Sequence, residues 1–138
     1  MADGPTLRVL LMRRHEWLYE RGMASASENG YGFVTPAMAR VFEQIGSGGP
    51  VSLSELARRL AISRQSLHET ITAACSHGLV ELVADATNKR IRIARFTEAG
   101  KRMSRTVVQV DRELERDLAH RIGTDNVQAL KNILAMEW

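Results

Sequence analysis

Between residues 63 and 72 the chain reads Ser-Arg-Gln-Ser-Leu-His-Glu-Thr-Ile-Thr. If this stretch is helical with Leu67, Ile71 and Ala74 turned inward, then Arg64, Gln65, His68, Glu69 and Thr72 share the outward face. Side chains that donate and accept along one helix face suit hydrogen bonding to base edges and phosphates. Arg64 can reach a guanine edge or a phosphate, Gln65 can pair with adenine, and Ser63 or Ser66 can take a phosphate or a base. Glu69 departs from a basic face: a carboxylate repels phosphate but accepts from a cytosine amino group. Lys89 and Arg90 lie at the tip of a polar turn, where they can grip an adjacent groove. The candidate contact set for double-stranded DNA is therefore Ser63, Arg64, Gln65, Ser66, His68, Glu69, Thr72, Lys89 and Arg90. The plain alternative for Arg64 and His68 is a solvated surface.

Other chemistries lack residues. No nucleophile stands in a pattern with a base, and no glycine motif cradles a phosphate, so an enzyme is not expected. His15, His68, His77 and His120 have no ligand spacing with one another or with Cys75, so neither metal nor cofactor is expected. The single cysteine excludes an internal disulfide and fits a reducing compartment. The first residues, MADGPTLRVLLMRR, do not read as a signal peptide, and no apolar run approaches the ~20 residues that span a bilayer. A cytoplasmic protein without a membrane partner is expected.

The 138 residues suit one domain with a real core, and the net charge is only +3. Its distribution is uneven. Residues 51–102 hold nine Lys/Arg against five acids, and the flanks hold ten against eleven. Positive charge thus gathers around the candidate face, as a phosphate-binding surface requires.

The elements that must position that face follow from spacing. Ser52 with Glu55 has capping-box spacing, and Leu53, Leu56, Ala57 and Leu60 recur at helical intervals. Ala61 and Ile62 make a tight connection, Ser63 caps a second helix, and Gly78 stops it. Two helices so closely joined cross steeply, a helix-turn-helix layout whose second helix enters the major groove. The same register would serve an ordinary helical hairpin in a core. Residues 79–84 and 91–96 read as strands around the turn 85–90, a wing. Strict alternation puts Arg92 and Arg95 on opposite faces, so at most one serves the wing's DNA side.

Upstream, residues 6–21 read as a helix capped by Thr6 or Asp3, and the glycine- and serine-rich residues 22–34 as a loop. Thr35-Pro36 starts a further helix with Met38, Val41, Phe42 and Ile45 inward, ended by the glycine-rich residues 46–50. Val51 reads as one extended residue. Downstream, Thr97 caps a long helix with Met103, Val107, Val110, Leu114, Leu118 and Ile122 in a stripe. Gly123 breaks it, and Thr124-Asp125 caps a last helix carrying Val127, Leu130, Leu134 and Trp138. Terminal helices with surplus apolar surface suit a homodimer interface; packing within one chain is the alternative. The expected fold is mainly α with a small β-hairpin wing. A winged helix-turn-helix at 35–97 is flanked by dimerisation elements at 6–34 and 98–138, all within a single domain, 1–138.

Taken together, the Thr-Pro helix start, LSELARRLAISRQSL, GLVE, the DATNKR turn and FTEAG resemble the MarR (multiple antibiotic resistance regulator) family of winged helix-turn-helix transcription regulators. The family's wing pattern, Asp-Pro-x-Asp-Arg-Arg leading to Leu-Thr-x-x-Gly, is matched without a gap by Asp85–Arg90 leading to Phe96–Gly100. Asn88 stands for the family's Asp, which commonly braces the wing arginine, and Lys89 stands for Arg. Ala61 replaces the usual turn glycine. The resemblance implies a dimeric regulator of a pseudo-palindromic operator, acting as a repressor. It also implies an effector pocket for small aromatic or phenolic compounds between dimer helices and winged domain. Five of the seven aromatics, Trp17, Tyr19, Tyr31, Phe33 and Phe42, lie between residues 17 and 42. With His15 they are the pocket candidates that the likeness implies, and ordinary core packing is their alternative. A winged-helix protein-interaction module that has lost DNA binding is the other functional class, favoured by Glu69 and the altered wing.

Overall fold

A computed structural model describes residues 3–138; Met1 and Ala2, the start of the stretch read as lacking a signal peptide, lie outside the described residues. Among the described residues six helices and three strands follow in the order α1 (Leu7–Glu28), α2 (Pro36–Gly48), β1 (Val51–Ser52), α3 (Leu53–Leu60), α4 (Arg64–Ser76), β2 (Val80–Ala84), β3 (Arg92–Phe96), α5 (Glu98–Ile122) and α6 (Thr124–Leu134). Two compact units share this chain: Phe33–Thr106, and the residues up to Gly32 together with Val107–Trp138.

The Phe33–Thr106 unit is the winged helix. The Thr35 hydroxyl accepts from the Met38 N–H, with Pro36 at the first helical position. Met38, Val41, Phe42 and Ile45 are all buried, as their spacing predicts. Leu56, Ala57 and Leu60 of α3, Leu67, Ile71 and Ala74 of α4, and Met103 of α5 complete the core with Val51, Leu79, Val80 and Ala94. Ser63 caps α4 by accepting from the Ser66 N–H. The connection between α3 and α4 turns through Ala61 at φ 51°, the only non-glycine with positive φ among the described residues. Arg40 of α2 donates to the Leu60 carbonyl at 3.0 Å and so ties down the end of α3 beside that turn.

Several expectations are corrected here. Ser52 caps α3 through the Glu55 N–H, but the capping box is not reciprocal, because the Glu55 carboxylate is taken by Arg58 and Arg59. The sheet is three-stranded, in the order β1-β3-β2: Val51 and Ser52 form a strand against Ala94 and Ile93. Strand pairing with a residue forty positions away has no local signature. The α2 helix runs through Gly46, Ser47 and Gly48 and ends at Gly49 (φ 74°), with the Ser47 hydroxyl donating to the Glu43 carbonyl.

The start of α5 is the tightest point of the unit. Thr97 caps it, its hydroxyl accepting from the Gly100 N–H and donating to the Gly78 carbonyl. A Cβ on Gly100 would overlap the Leu79 carbonyl oxygen, so the helix can approach the strand only at a glycine.

In the other unit α1 continues to Glu28, seven residues past the predicted end. Met23, Ala24, Ala26 and Glu28 are adequate helix formers, and one glycine, Gly22, is too small a cost to stop a helix. The stop comes at Asn29-Gly30, where the Asn29 amide donates to the Ser25 carbonyl and Gly30 takes φ 88°. Thr6 is the N-cap of α1 but makes no side-chain bond, and Gly123, not Thr124-Asp125, is the N-cap of α6. Val110 and Val127 are buried, whereas Val107, Ile122, Leu130, Leu134 and Trp138 are exposed.

Candidate nucleic-acid interface

The α4 helix presents its outward face as the register demands. Leu67, Ile71 and Ala74 are buried, and Ser63, Arg64, Gln65, Ser66, His68, Glu69 and Thr72 are all exposed. The first turn carries no acid, so the partial positive charge of the helix end is undiminished and Arg64 adds to it. Ser63 is committed to the cap, since its oxygen accepts from the Ser66 N–H and its proton goes to the Ser66 hydroxyl at 3.1 Å. The Ser66 hydroxyl therefore retains a free proton to donate. Along the middle of the face, the Gln65 amide donates to a Glu69 carboxylate oxygen at 3.2 Å.

The wing tip is a double Asx turn. The Asp85 carboxylate accepts from the backbone N–H and the hydroxyl of Thr87, and these bonds hold its carboxyl below the usual carboxylate range. The Asn88 side-chain oxygen accepts from the Arg90 backbone N–H at 3.1 Å. Asn88 thus supports the loop through the backbone of Arg90, leaving the guanidinium unengaged. Lys89, Arg90 and Arg92 are exposed and have no carboxylate partner among the described residues. Arg95 does have one: Glu81 faces it directly across β2 and β3, and the pair closes at 2.8 Å.

The charge pattern sharpens once these pairs are drawn. Arg58 and Arg59 bind Glu55, Arg95 binds Glu81, and Lys101 binds Glu98. The cations of residues 51–102 without a carboxylate partner among the described residues are Arg64, Lys89, Arg90, Arg92 and Arg102, and four of these five sit on α4 or the wing. Arg92 was not among the residues expected to contact DNA. Alternation could say only that Arg92 and Arg95 point opposite ways; the cross-strand register decides which of them is neutralised. The Glu55 and Glu69 bonds had a readable signal in their three- and four-residue spacing on a helix.

The aromatic candidates are divided between the two units. His15, Trp17, Tyr19 and Tyr31 belong to one unit and Phe33 and Phe42 to the other. On α1, the His15 and Tyr19 rings are neighbours at 6.1 Å, while Trp17 carries the Arg21 guanidinium over its face at 4.0 Å. Phe42 is core, 6.1 Å from Phe96, and Phe33 stacks on His77, the residue closing α4, at 3.7 Å between centroids. A shallow open groove of about 670 Å³ on the winged unit is lined by Arg95, Phe96 and Lys101 among others, and by none of the six candidates. Cys75 is half-buried, and burial raises its thiol pKa, the opposite of an activated thiolate. Among the described residues no group of three His, Cys, Asp or Glu could hold a metal, and no helix is long and apolar enough to cross a membrane.

Comparison with known proteins now adds a family. Residues 34–91 match the model of the MarR family. No curated protein matches the sequence. Among solved structures, wild-type MarR from E. coli, in its apo form, is similar at a TM-score of 0.77, with 20% identity over 96% of each chain. RV1404 from Mycobacterium tuberculosis is similar at 0.76, with 17% identity over 97% of this chain and 93% of that one. NadR in complex with 4-hydroxyphenylacetate is similar at 0.73, with 18% identity over 98% and 94%. At such identities the structures speak for the fold, and the sequence match over α2 to the wing speaks for the family. Residues 34–91 are similar to the MarR family of transcription regulators, and the chain as a whole has the winged-helix fold of solved MarR-type structures.

Proposed function

We propose that this protein is a homodimeric transcription regulator that binds a pseudo-palindromic operator in double-stranded DNA, as a repressor, through α4 and the wing. The observation that carries the reading is the distribution of unpaired cations. Carboxylates neutralise Arg58, Arg59, Arg95 and Lys101, while four of the five cations left unpaired among the described residues of 51–102 are Arg64 at the start of α4 and Lys89, Arg90 and Arg92 on the wing, the fifth being Arg102 on α5. Gln65, Ser66, His68, Glu69 and Thr72 supply the hydrogen-bonding groups between them, and Ser63 caps the helix that presents them. Dimerisation is supported by the apolar surface of the second unit, and paired recognition helices gain half-site spacing of ~34 Å as a source of specificity. Such a regulator works in the cytoplasm, where the chromosome is.

A small aromatic or phenolic effector that relieves repression is the second part of the proposal. Its support is the aromatic content of α1 and of Tyr31, Phe33 and Phe42, together with the phenolic acid found on NadR. Binding would act by favouring a dimer geometry in which the two α4 helices no longer match successive grooves.

Fluorescence anisotropy on the protein's own upstream DNA, across a salt series, tests the reading. The expected result is a specific shift at sub-micromolar protein that weakens with salt. The Arg90→Ala and Arg92→Ala variants should each flatten the slope of log K against log salt by about 0.9. A flat salt response with no binding at micromolar protein would sink the proposal and leave a winged-helix protein-interaction module. Thermal-shift measurements with a panel of phenolic acids test the effector separately.

A further inference from the structure

The outward face of α4 contains one bond that its residues do not need for folding. Gln65 and Glu69 are both exposed, one helical turn apart, and the Gln65 amide donates to a Glu69 oxygen at 3.2 Å. Glu69 has no cationic partner among the described residues, although the same protein pairs Glu55, Glu81 and Glu98 with arginine or lysine. The carboxylate is thus left charged in the centre of a face otherwise suited to DNA, where phosphate repulsion counts against it. The bond also fixes the Gln65 side chain: its NH₂ end points toward Glu69, and its carbonyl oxygen is directed away. What the pair offers outward is one carbonyl and the remaining lone pairs of a carboxylate, a surface dominated by acceptors.

Major-groove chemistry selects strongly against most bases at such a surface. Guanine shows two acceptors, thymine shows an acceptor and a methyl group, and adenine shows a donor beside the N7 acceptor. Cytosine is the one base whose own major-groove edge shows a donor, its N4 amino group, and no acceptor. Resting on the DNA-binding reading above, we infer that Gln65 and Glu69 act as one specificity-determining unit that requires a cytosine in each operator half-site, Glu69 accepting from the N4 amino group and Gln65 positioning the carboxylate. The acid lowers affinity for DNA in general and restores it only where an amino group meets the carboxylate. It discriminates chiefly by excluding guanine and thymine.

Selection from a library with randomised half-sites, followed by affinity measurement on single-base variants, tests this. For the wild-type protein one position in each half-site should be nearly invariant cytosine, and replacing it by guanine or thymine should weaken binding on the order of tenfold. Replacing that cytosine by 2-pyrimidinone, which lacks only the amino group, should cost about as much. Glu69→Gln, an exposed and nearly isosteric change, should erase the preference at that position alone while raising affinity for unrelated DNA. Gln65→Ala should weaken the same preference, and its effect should vanish in the Glu69→Gln background. A cytosine preference that persists in Glu69→Gln, or full affinity for the 2-pyrimidinone site, overturns the inference and leaves the DNA-binding reading standing. Absence of any sequence-specific binding by the wild-type protein overturns that reading instead.

Discussion

Glu55 shows how a single carboxylate shapes a charged surface. It sits in the first turn of α3, where the helix end favours an anion, and it accepts from Arg58 and from Arg59. The Arg58 hydrogen bond, and then that of Arg59, lower its pKa from the ordinary 4.5 to about 2. The sign of the linkage follows. A carboxyl depressed in the folded state contributes stability that is present above its unfolded pKa and fades as pH falls toward 2. The carboxylate is half-buried at the surface, so solvent screens that contribution. A carbon-detected NMR titration of the Glu55 carboxyl should therefore show a midpoint near 2. In a protein carrying Arg58→Ala and Arg59→Ala the midpoint should return toward 4.5. A wild-type midpoint already in the ordinary range would mean that the arginines are not held in solution.

Two element junctions turn on whether a side chain can be accommodated, one for backbone conformation and one for space. Ala61 occupies the left-handed region at φ 51°, where a side chain costs ~1–2 kcal/mol. Glycine removes that cost but gives back ~0.5–1 kcal/mol in chain entropy. Ala61→Gly should accordingly stabilise the protein by roughly 0.5–1 kcal/mol in urea unfolding; a loss of stability would show that Ala61 packs better than its geometry suggests. Gly100 is the opposite case. A Cβ there would strike the Leu79 carbonyl and stand 2.8 Å from the Phe96 ring, and backbone cannot give way as a flexible side chain can. Gly100→Ala should cost about 3 kcal/mol by the same measurement, with the α5 start displaced from β2. Both positions match points of the MarR-like pattern. At one of them this chain departs from the family's glycine and keeps the turn, and at the other the glycine is retained because no side chain fits.

For the molecule as a whole, the distribution of apolar surface is the main physical fact. Among the described residues, twelve of the thirteen exposed large hydrophobics lie in the unit formed by the chain's two ends, the exception being Ile91. They include Leu7, Leu10, Leu130, Ile133, Met136 and Trp138, the last 80% exposed. Burying even a few such side chains at ~1.5–3 kcal/mol each supplies enough free energy to hold two subunits together. Sedimentation should show a dimer at micromolar concentration. Leu130→Glu combined with Ile133→Glu should shift it to monomer while leaving the winged helix folded by circular dichroism. A persistent dimer in that variant would place the interface on another surface.

Much of this architecture was legible in the sequence. Thr35, Ser52, Ser63 and Thr97 were readable as caps because a capping side chain reaches only two or three residues along the chain. The apolar faces of α2, α3 and α4 were readable because helical periodicity is a local property. The end of α1 was misjudged at Gly22, since a weak breaker outweighed the helix formers after it. What sequence could not decide depends on partners far apart in the chain. Val51 and Ser52 become a strand only because β3 is brought beside them. Gly100 is required only because the Leu79 carbonyl arrives there. Which wing arginine stays free is decided by the register that sets Glu81 opposite Arg95. Local spacing determined the helices, their caps and the face of α4; tertiary packing decided which charges on that framework are cancelled and which are left to meet a partner.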